Sequence, residues 1–362
     1  MITFYTEIAA ITLLSVIICR LLMPQMVKYS VALRLVDVPN DRKLHKKPIP
    51  AIGGLVMMIT MIIIAFCSAA MGQLIKENIA LSICLLTLLV LGLIDDRFDL
   101  SAKLRFFIQI VCALVFAKYG ARITNLHNIF KIHELPVFVQ YTVTVIIIVG
   151  VTNAFNLIDG IDGLAGSIAM VNILLLSLLC IFIDAAQWLW LLIPLAGSLA
   201  VFLKYNWRPA KLFLGNGGSM FLGFLMVAIS VFLIEKCEHA NVSISFSRYY
   251  FVIISACFII PVTDTFRVIY QRIKTGRSPF SPDKNHLHHL FIRQSLVHSQ
   301  AALRITGFHI FITFLSVISV RFLPISFVII GQLLLVTLYT AFIRFSILFA
   351  RWYRFIKKYE TA

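Results

Sequence analysis

Apolar runs long enough to cross a bilayer recur along this chain, and nothing else constrains its fold as strongly. About eleven are legible, near residues 3–23, 52–71, 79–94, 104–118, 137–155, 164–183, 187–204, 218–235, 249–270, 302–322 and 325–347, several of them at the roughly 18–20 residues that a membrane helix needs. Inside a bilayer, backbone polar groups must pair within their own segment, so such runs fold as helices. The expected fold class is all-α: a polytopic integral membrane helical bundle of about 11 transmembrane helices, with 10 as the alternative, making one transmembrane domain over residues 1–362. With 60% hydrophobic and 13% charged residues, and a mean hydropathy of +0.94, the chain has too little charged surface for a soluble domain. The first run follows Glu7 with neither a basic leader nor a small-residue cleavage site, and reads as a retained helix.

The net charge of +16 is explained by where it sits. If the runs alternate across the membrane, the loops on the side of residues 24–51 hold most of the 32 Lys and Arg. That places those loops and the C-terminal tail in the cytosol and the N-terminus outside. Topology accounts for the surplus, and nucleic-acid binding gains no support from it. The seven cysteines fall mostly inside apolar runs without paired short spacing, so they read as small membrane hydrophobes rather than a disulfide framework or a metal site.

The chemistry gathers in the loops of that one side, 24–51, 95–103, 156–163, 205–217 and 271–301. In the first, Arg42, Lys43, His45, Lys46 and Lys47 can neutralise a phosphate-bearing ligand, or can simply set topology and touch anionic head groups. The third run ends in Asp95-Asp96-Arg97-Phe98-Asp99, with Asp95 and Asp99 on one helix face. Adjacent carboxylates repel unless a cation or proton lies between them, and a divalent ion shared with substrate phosphates is the natural occupant. A solvated helix end with Arg97 as counter-ion is the plainer alternative.

Asn153, Asn156, Asp159 and Asp162 follow at three-residue spacing. Each such step on a straight helix turns the side chain by about −60°, so Asn153 and Asp162 would point to opposite sides. They share one pocket only if the chain opens at Gly160 or Gly163. Gly215, Asn216, Gly218 and Ser219 lead into an apolar helix, whose N-terminus can seat a phosphate, although glycine-mediated helix packing competes.

Asp264 falls within bilayer depth, where a charge costs roughly 2.5–3.5 kcal/mol, so it needs a partner; Arg267 is the nearest, and structural and catalytic roles stay equally open. The last loop sets His286, His288 and His289 after Arg272, Lys274, Arg277 and Ser278. Zinc is conceivable from three histidines, but the basic neighbours suit a diphosphate better. His127, His133, His239, His298 and His309 are scattered singly and read as surface histidines rather than ligands, and the basic tail from Arg351 reads as an interfacial anchor.

On Asp37–Gly54, Asp95-Asp96, Asn153–Ala165, Phe213–Ser219 and Ser278–His289, the chain resembles the polyprenyl-phosphate N-acetylhexosamine-1-phosphate transferases over about residues 37–290. Its Pro-Asn-x-Arg-Lys-x-His and Ser-Pro-Phe-Ser-Pro-Asp segments resemble the branch acting with undecaprenyl phosphate and UDP-GlcNAc more than the phospho-MurNAc-pentapeptide branch. The resemblance implies a multi-pass enzyme of a bacterial inner membrane, with its active site at the cytoplasmic face. It would make GlcNAc-diphospho-undecaprenol and UMP with Mg²⁺ or Mn²⁺, as the first step of O-antigen or enterobacterial common antigen synthesis.

Carried over by position, Asp95 and Asp96 are the catalytic, metal-binding pair, and Asp159 and Asp162 the second acidic motif. Lys43, His45, Asn153, Asn156, Gly215, Gly218, Ser219, Asp264, Arg272, Ser278, His286, His288 and His289 surround the substrates. Asn216 stands where the family pattern has an aspartate metal ligand, and the lost charge implies weaker metal binding or a shift of the metal toward the remaining acids. Direct attack by the lipid phosphate, oriented by Asp95 or Asp96, is the expected chemistry, with a covalent aspartyl-phosphate as its rival. Another UDP-HexNAc donor, a nucleotide-sugar or lipid-phosphate transporter, and an inactive relative are the alternatives; a homodimer is left open. Transporters usually show internal repeats and midplane sites, and neither is visible here.

Overall fold

The computed structural model describes residues 2–37, 48–125, 134–239, 244–279, 281, 283 and 285–360. Lys43, His45, His127 and His133 lie outside the described residues, as does the side chain of His239. The helices in chain order are α1 (Ile2–Ala32), α2 (Gly53–Cys67), α3 (Ala69–Glu77), α4 (Ile79–Phe98), α5 (Ala102–Tyr119), α6 (Val137–Ile158) and α7 (Leu164–Phe182). They continue with α8 (Leu189–Asn206), α9 (Gly215–His239), α10 (Ile244–Lys274), α11 (Leu287–Arg293), α12 (His298–Ser319) and α13 (Ile325–Glu360). The protein is a polytopic all-α membrane protein.

Among the described residues, nine helices are long and apolar enough to span a membrane, or ten if α2 and α3 form one broken span bent by 111°. The difference from eleven has two local causes. The expected fourth span is α5, an 18-residue helix that carries Lys103 and Arg105 at its start and Lys118 at its end. The expected second span breaks at Ser68, whose hydroxyl accepts from the Met71 N–H and starts α3 in a new direction.

The bundle is organised around α9. Its apolar stretch is 94% buried, and it packs against α2, α4, α6, α7 and α10. The N-terminal turn of α9 lies backbone to backbone against two neighbours. A Cβ placed on Gly54 of α2 would come within 2.1 Å of the Gly218 Cα, and one on Gly92 of α4 within 2.1 Å of the Gly217 N. Glycine here lets helices touch without side chains between them. The same end is tied by backbone hydrogen bonds, with Gly53 N–H donating to Phe213 O (2.9 Å), Gly54 N–H to Leu214 O (3.0 Å) and Phe213 N–H to Pro50 O (2.8 Å). A two-residue antiparallel ribbon, β1 (Val36–Asp37) with β2 (Ile49–Pro50), leads into it.

Deeper in the bundle the polar groups are paired. His309 is buried on α12, with its Nε2 2.8 Å from Asn172 Oδ1 on α7, while Asn172 Nδ2 donates to Cys257 O on α10 (2.9 Å). This corrects the reading of His309 as a surface histidine: an apolar helix holds a buried imidazole when a neighbouring amide satisfies it. Gln332 of α13 bridges Val252 O of α10 and the Ser316 hydroxyl of α12 in the same way. All seven cysteines are free thiols.

The glycine contacts give a direct test. Gly92→Ala has no room and should cost about 1–3 kcal/mol as overpacking, lowering the melting midpoint in detergent. Gly307→Ala, whose added methyl meets nothing within 4 Å, should be neutral or slightly stabilising.

Candidate active site

Parts of α5, α6, α9, α10 and α11 surround one cavity of about 600 Å³, within the range of small-molecule sites. Its polar wall includes Arg105, Asn153, Asn156, Asn216 and Arg272, with His286, His288 and His289. Its apolar wall includes Phe106, Leu157, Val262, Phe266 and Ile269. The distant motifs of the sequence therefore do meet.

Local structure explains how each group gets there. α4 ends in a left-handed Asp99 (φ 51°), and the Ser101 hydroxyl caps α5 by accepting from Leu104 N–H at 3.3 Å. That tight corner folds α5 back so that Arg105 Nη1 sits 2.6 Å from Asp95 Oδ2. The other Asp95 oxygen accepts from Leu100 N–H at 2.9 Å, and Asn216 Nδ2 donates to Oδ2 at 2.8 Å. Asp96 accepts from the backbone N–H of Asn216 with both oxygens (3.2 and 3.0 Å), so the α9 N-terminus carries a carboxylate from within the protein. Asn156 Nδ2 donates to Asn216 Oδ1 (3.0 Å) and to Ser219 Oγ (2.7 Å). Asn153 Nδ2 donates to Gln109 Oε1 on α5.

Of Gly215, Asn216, Gly218 and Ser219, only Asn216 lines the cavity. Gly218 is committed to packing and Ser219 is fully buried. Asp95 and Asp96 also stand behind the lining, with Arg105 and Asn216 in front of Asp95.

The chain does open where expected. α6 stops at Ile158, and α7 starts from Gly163 at φ +80°. The opening sends the two acids different ways. Asp162 accepts from Ala210 N–H (3.2 Å) and lies 3.1 Å from His298 Nδ1, at the start of α12. It ties α7, the 205–214 loop and α12 together and does not line the cavity. Burial alone would raise its carboxyl, but His298, the Ala210 N–H and Arg208 outweigh that and hold it below the usual range. His298, read as a surface histidine, is thus a partner of the second acidic motif. Asp159 is half-buried; burial, then repulsion from Asp162 and Asp37, pushes its carboxyl up to about 7.

The histidine loop is anchored by Asp264. Its Oδ1 accepts from Arg267 Nη2 (2.5 Å) and Leu287 N–H (2.9 Å), and its Oδ2 is 2.8 Å from His286 Nδ1. Arg267 also donates to Asn285 O at 2.6 Å. The Arg267 partner expected for Asp264 is present, and the carboxylate positions the loop without lining the cavity. His288 is buried, stacked parallel to His286 and pressed on Gly160, where a Cβ would lie 2.2 Å from its Nε2. Burial, then the neighbouring His289 and His286, keep it neutral, well below the usual histidine range. Its Nδ1 is buried with no hydrogen-bond partner among the described residues.

Arg272 donates to Pro279 O (2.5 Å) and lies 3.6 Å from Asp283 Oδ2. Ser278 is exposed and contributes its carbonyl to the Ser281 turn. Sequence reading missed Arg105, Gln109 and Asp283; only their chain proximity to Asp95 and to the histidines hinted at them.

The donor set is a poor cage for a divalent ion as arranged. Both oxygens of Asp95 and of Asp96, and the Asn216 amide oxygen, already accept N–H donors. A guanidinium supplies the positive charge beside Asp95. Among the described residues, no three His, Cys, Asp or Glu side chains form a metal-ligating group.

Residues 78–234 match the family described as glycosyl transferase family 4. The chain is 29% identical over 294 residues to the probable undecaprenyl-phosphate N-acetylglucosaminyl 1-phosphate transferase of Bacillus subtilis (strain 168), covering 81% of this chain and 78% of that protein. It is 30% identical over 285 residues to the undecaprenyl-phosphate alpha-N-acetylglucosaminyl 1-phosphate transferase of Salmonella typhi, covering 77% and 75%. To the Escherichia coli (strain K12) protein of the same name it is 29% identical over 278 residues, covering 75% and 73%.

Two outcomes follow from the electrostatics. Asn216→Asp adds a carboxylate beside Asp95 and Asp96 and should tighten Mn²⁺ binding by roughly tenfold or more, read by spin resonance of the free ion. For Asp159, the raised folded-state pKa means that stability from the neutral acid is full below the unfolded value and is lost as pH rises through about 7. Asp159→Asn, always neutral, should therefore gain in melting midpoint over the natural protein as pH rises from 3.8 to about 7, and keep that gain above it.

Proposed function

Because the chain belongs to the polyprenyl-phosphate N-acetylhexosamine-1-phosphate transferases of glycosyl transferase family 4, we propose that it transfers GlcNAc-1-phosphate from UDP-GlcNAc to undecaprenyl phosphate, giving GlcNAc-diphospho-undecaprenol and UMP. The setting is the cytoplasmic face of a bacterial inner membrane. The product is of the kind on which O-antigen or enterobacterial common antigen is begun.

The observation that carries this reading is the two-sided cavity. One wall presents guanidinium, imidazole and amide groups, with the Asp283 carboxylate beside Arg272; the other is apolar and continues to Phe106 and Phe266, which are 39% and 67% exposed where lipid would lie. A nucleotide diphosphate suits the first wall, and a lipid chain the second.

The acceptor is a phosphate monoester with a second pKa near 6, so at neutral pH it is mostly a dianion and a general base has little to remove. The barrier is the approach of two anions and the charge that develops on the departing UMP. Arg105 and Arg272 face the cavity and offset both. Neutral His288 can hydrogen-bond a diphosphate oxygen without adding charge. An oxygen of the lipid phosphate attacks the sugar-bearing phosphorus; the bond from that phosphorus to the bridging oxygen breaks, and UMP leaves with that oxygen. Asp95 holds Arg105 and the Asn216 amide in place. For an aspartyl-phosphate, Asp95 would first have to give up those partners, which favours direct displacement.

Purified protein given UDP-GlcNAc alone should release no UMP burst equal to the enzyme present. Adding undecaprenyl phosphate should move labelled GlcNAc into lipid, and Arg105→Ala should slow that by on the order of 10²-fold. A stoichiometric burst without acceptor would establish the covalent route instead, and a panel of UDP-HexNAc donors tests the sugar.

A further inference from the structure

A second cavity, also of about 600 Å³, lies where α11, α12 and α13 converge, and it shares no lining residue with the first. Arg293 of α11, Arg304 of α12 and Arg354 of α13 all line it, and no aspartate or glutamate does. Three guanidinium groups around one space repel each other unless an anion lies between them. Hydroxyls are supplied by Tyr339 and Ser346. The cavity has a built floor: Gln294 Nε2, just after α11, donates to Ser346 Oγ of α13 at 3.1 Å, and Tyr339 stacks on Phe308 of α12 with ring centroids 3.9 Å apart.

Its depth fits a lipid. α13 has 36 residues, about 54 Å of helix against about 30 Å of hydrocarbon, so its last turns pass through the headgroup layer. Arg354 lies in those turns. Toward the bilayer centre the same helix exposes Phe342, Leu338 and Leu334. α11 belongs to both cavities: His288 and His289 line one, and Phe291 and Arg293 the other.

We infer that this arginine pocket binds the phosphate headgroup of a bulk anionic phospholipid, with its acyl chains along the exposed face of α13, and that the bound lipid steadies α11 behind the active-site histidines. Basic pockets between membrane helices on the cytoplasmic side suit such head groups. The bulk lipid is favoured over the polyprenyl acceptor because a phosphate held here lines no part of the reactive cavity.

The test uses full-length protein in nanodiscs of phosphatidylcholine with stepwise addition of phosphatidylglycerol. Phosphatidylglycerol retained per protein is read by native mass spectrometry, and UMP release is read in parallel. Arg304→Gln/Arg354→Gln should retain roughly tenfold less phosphatidylglycerol and lose stimulation by it, while keeping its rate in neutral lipid. Arg351→Gln/Lys357→Gln removes the same charge from the exposed tail that also carries Arg354, but outside the pocket, and should behave as the natural protein. Equal retention by both variants, or equal loss in both, overturns the pocket; melting midpoints show that each is folded. Displacement of bound phosphatidylglycerol by equimolar farnesyl phosphate overturns the choice of bulk lipid. Lipid retention needs no turnover, so this result stands apart from the fate of the proposed transfer reaction.

Discussion

The contact on which the rest depends is the approach of α2 and α4 to the first turn of α9, main chain against main chain. Gly54 meets Gly218 and Gly92 meets Gly217 with no room for a methyl group. Only at that separation can the Asn216 N–H reach both oxygens of Asp96 while its amide spans Asp95 and Asn156. Apolar burial holds α9 at the centre of the bundle, but it does not choose which turn faces which. The glycines and the Asp96–Asn216 bonds do.

Charge is layered at this end of the bundle. The carboxylates of Asp95 and Asp264 stand in the second rank, each 4% exposed, and each holds an arginine. At the cavity Arg105 stands in front of Asp95, while Arg272 stands beside its own partner, Asp283; the arginine that Asp264 holds is Arg267. A buried carboxylate that loses its partner is costly, so these acids fix where the cations point as firmly as any apolar contact. The arrangement alternates guanidinium and carboxylate groups along one wall of the cavity, in a region that already lies next to lipid.

Much of this was legible in the sequence. Apolar run length gave the helices, and the motif spacing gave the family, which the relatives bear out. The opening between Asp159 and Gly163 followed from helix geometry, because Asn153 and Asp162 cannot share a face on a straight helix. What escaped was tertiary. Arg105 reaches Asp95 only because a left-handed Asp99 folds α5 back on α4, and His298 meets Asp162 across well over a hundred residues of chain. His309 looked like a surface residue because its partner, Asn172, sits inside another apolar run that showed no sign of needing it. α5, legible as an apolar run, drops out of the strict apolar count only because Lys103, Arg105 and Lys118 sit at its ends.

A joint of bare backbone has no rotamers to rearrange. The joint formed by Gly54, Gly92 and the α9 glycines therefore offers no slack beside Asn216, and the opposite side of the cavity is held by side chains instead. That side is the strap from Arg272 to His286, fastened to α10 through Asp264 and Arg267 and resting on Gly160 through one imidazole. The described anchors of that strap, Asp264, Arg267 and His288, rather than the acidic motifs, are then what keeps that wall in place.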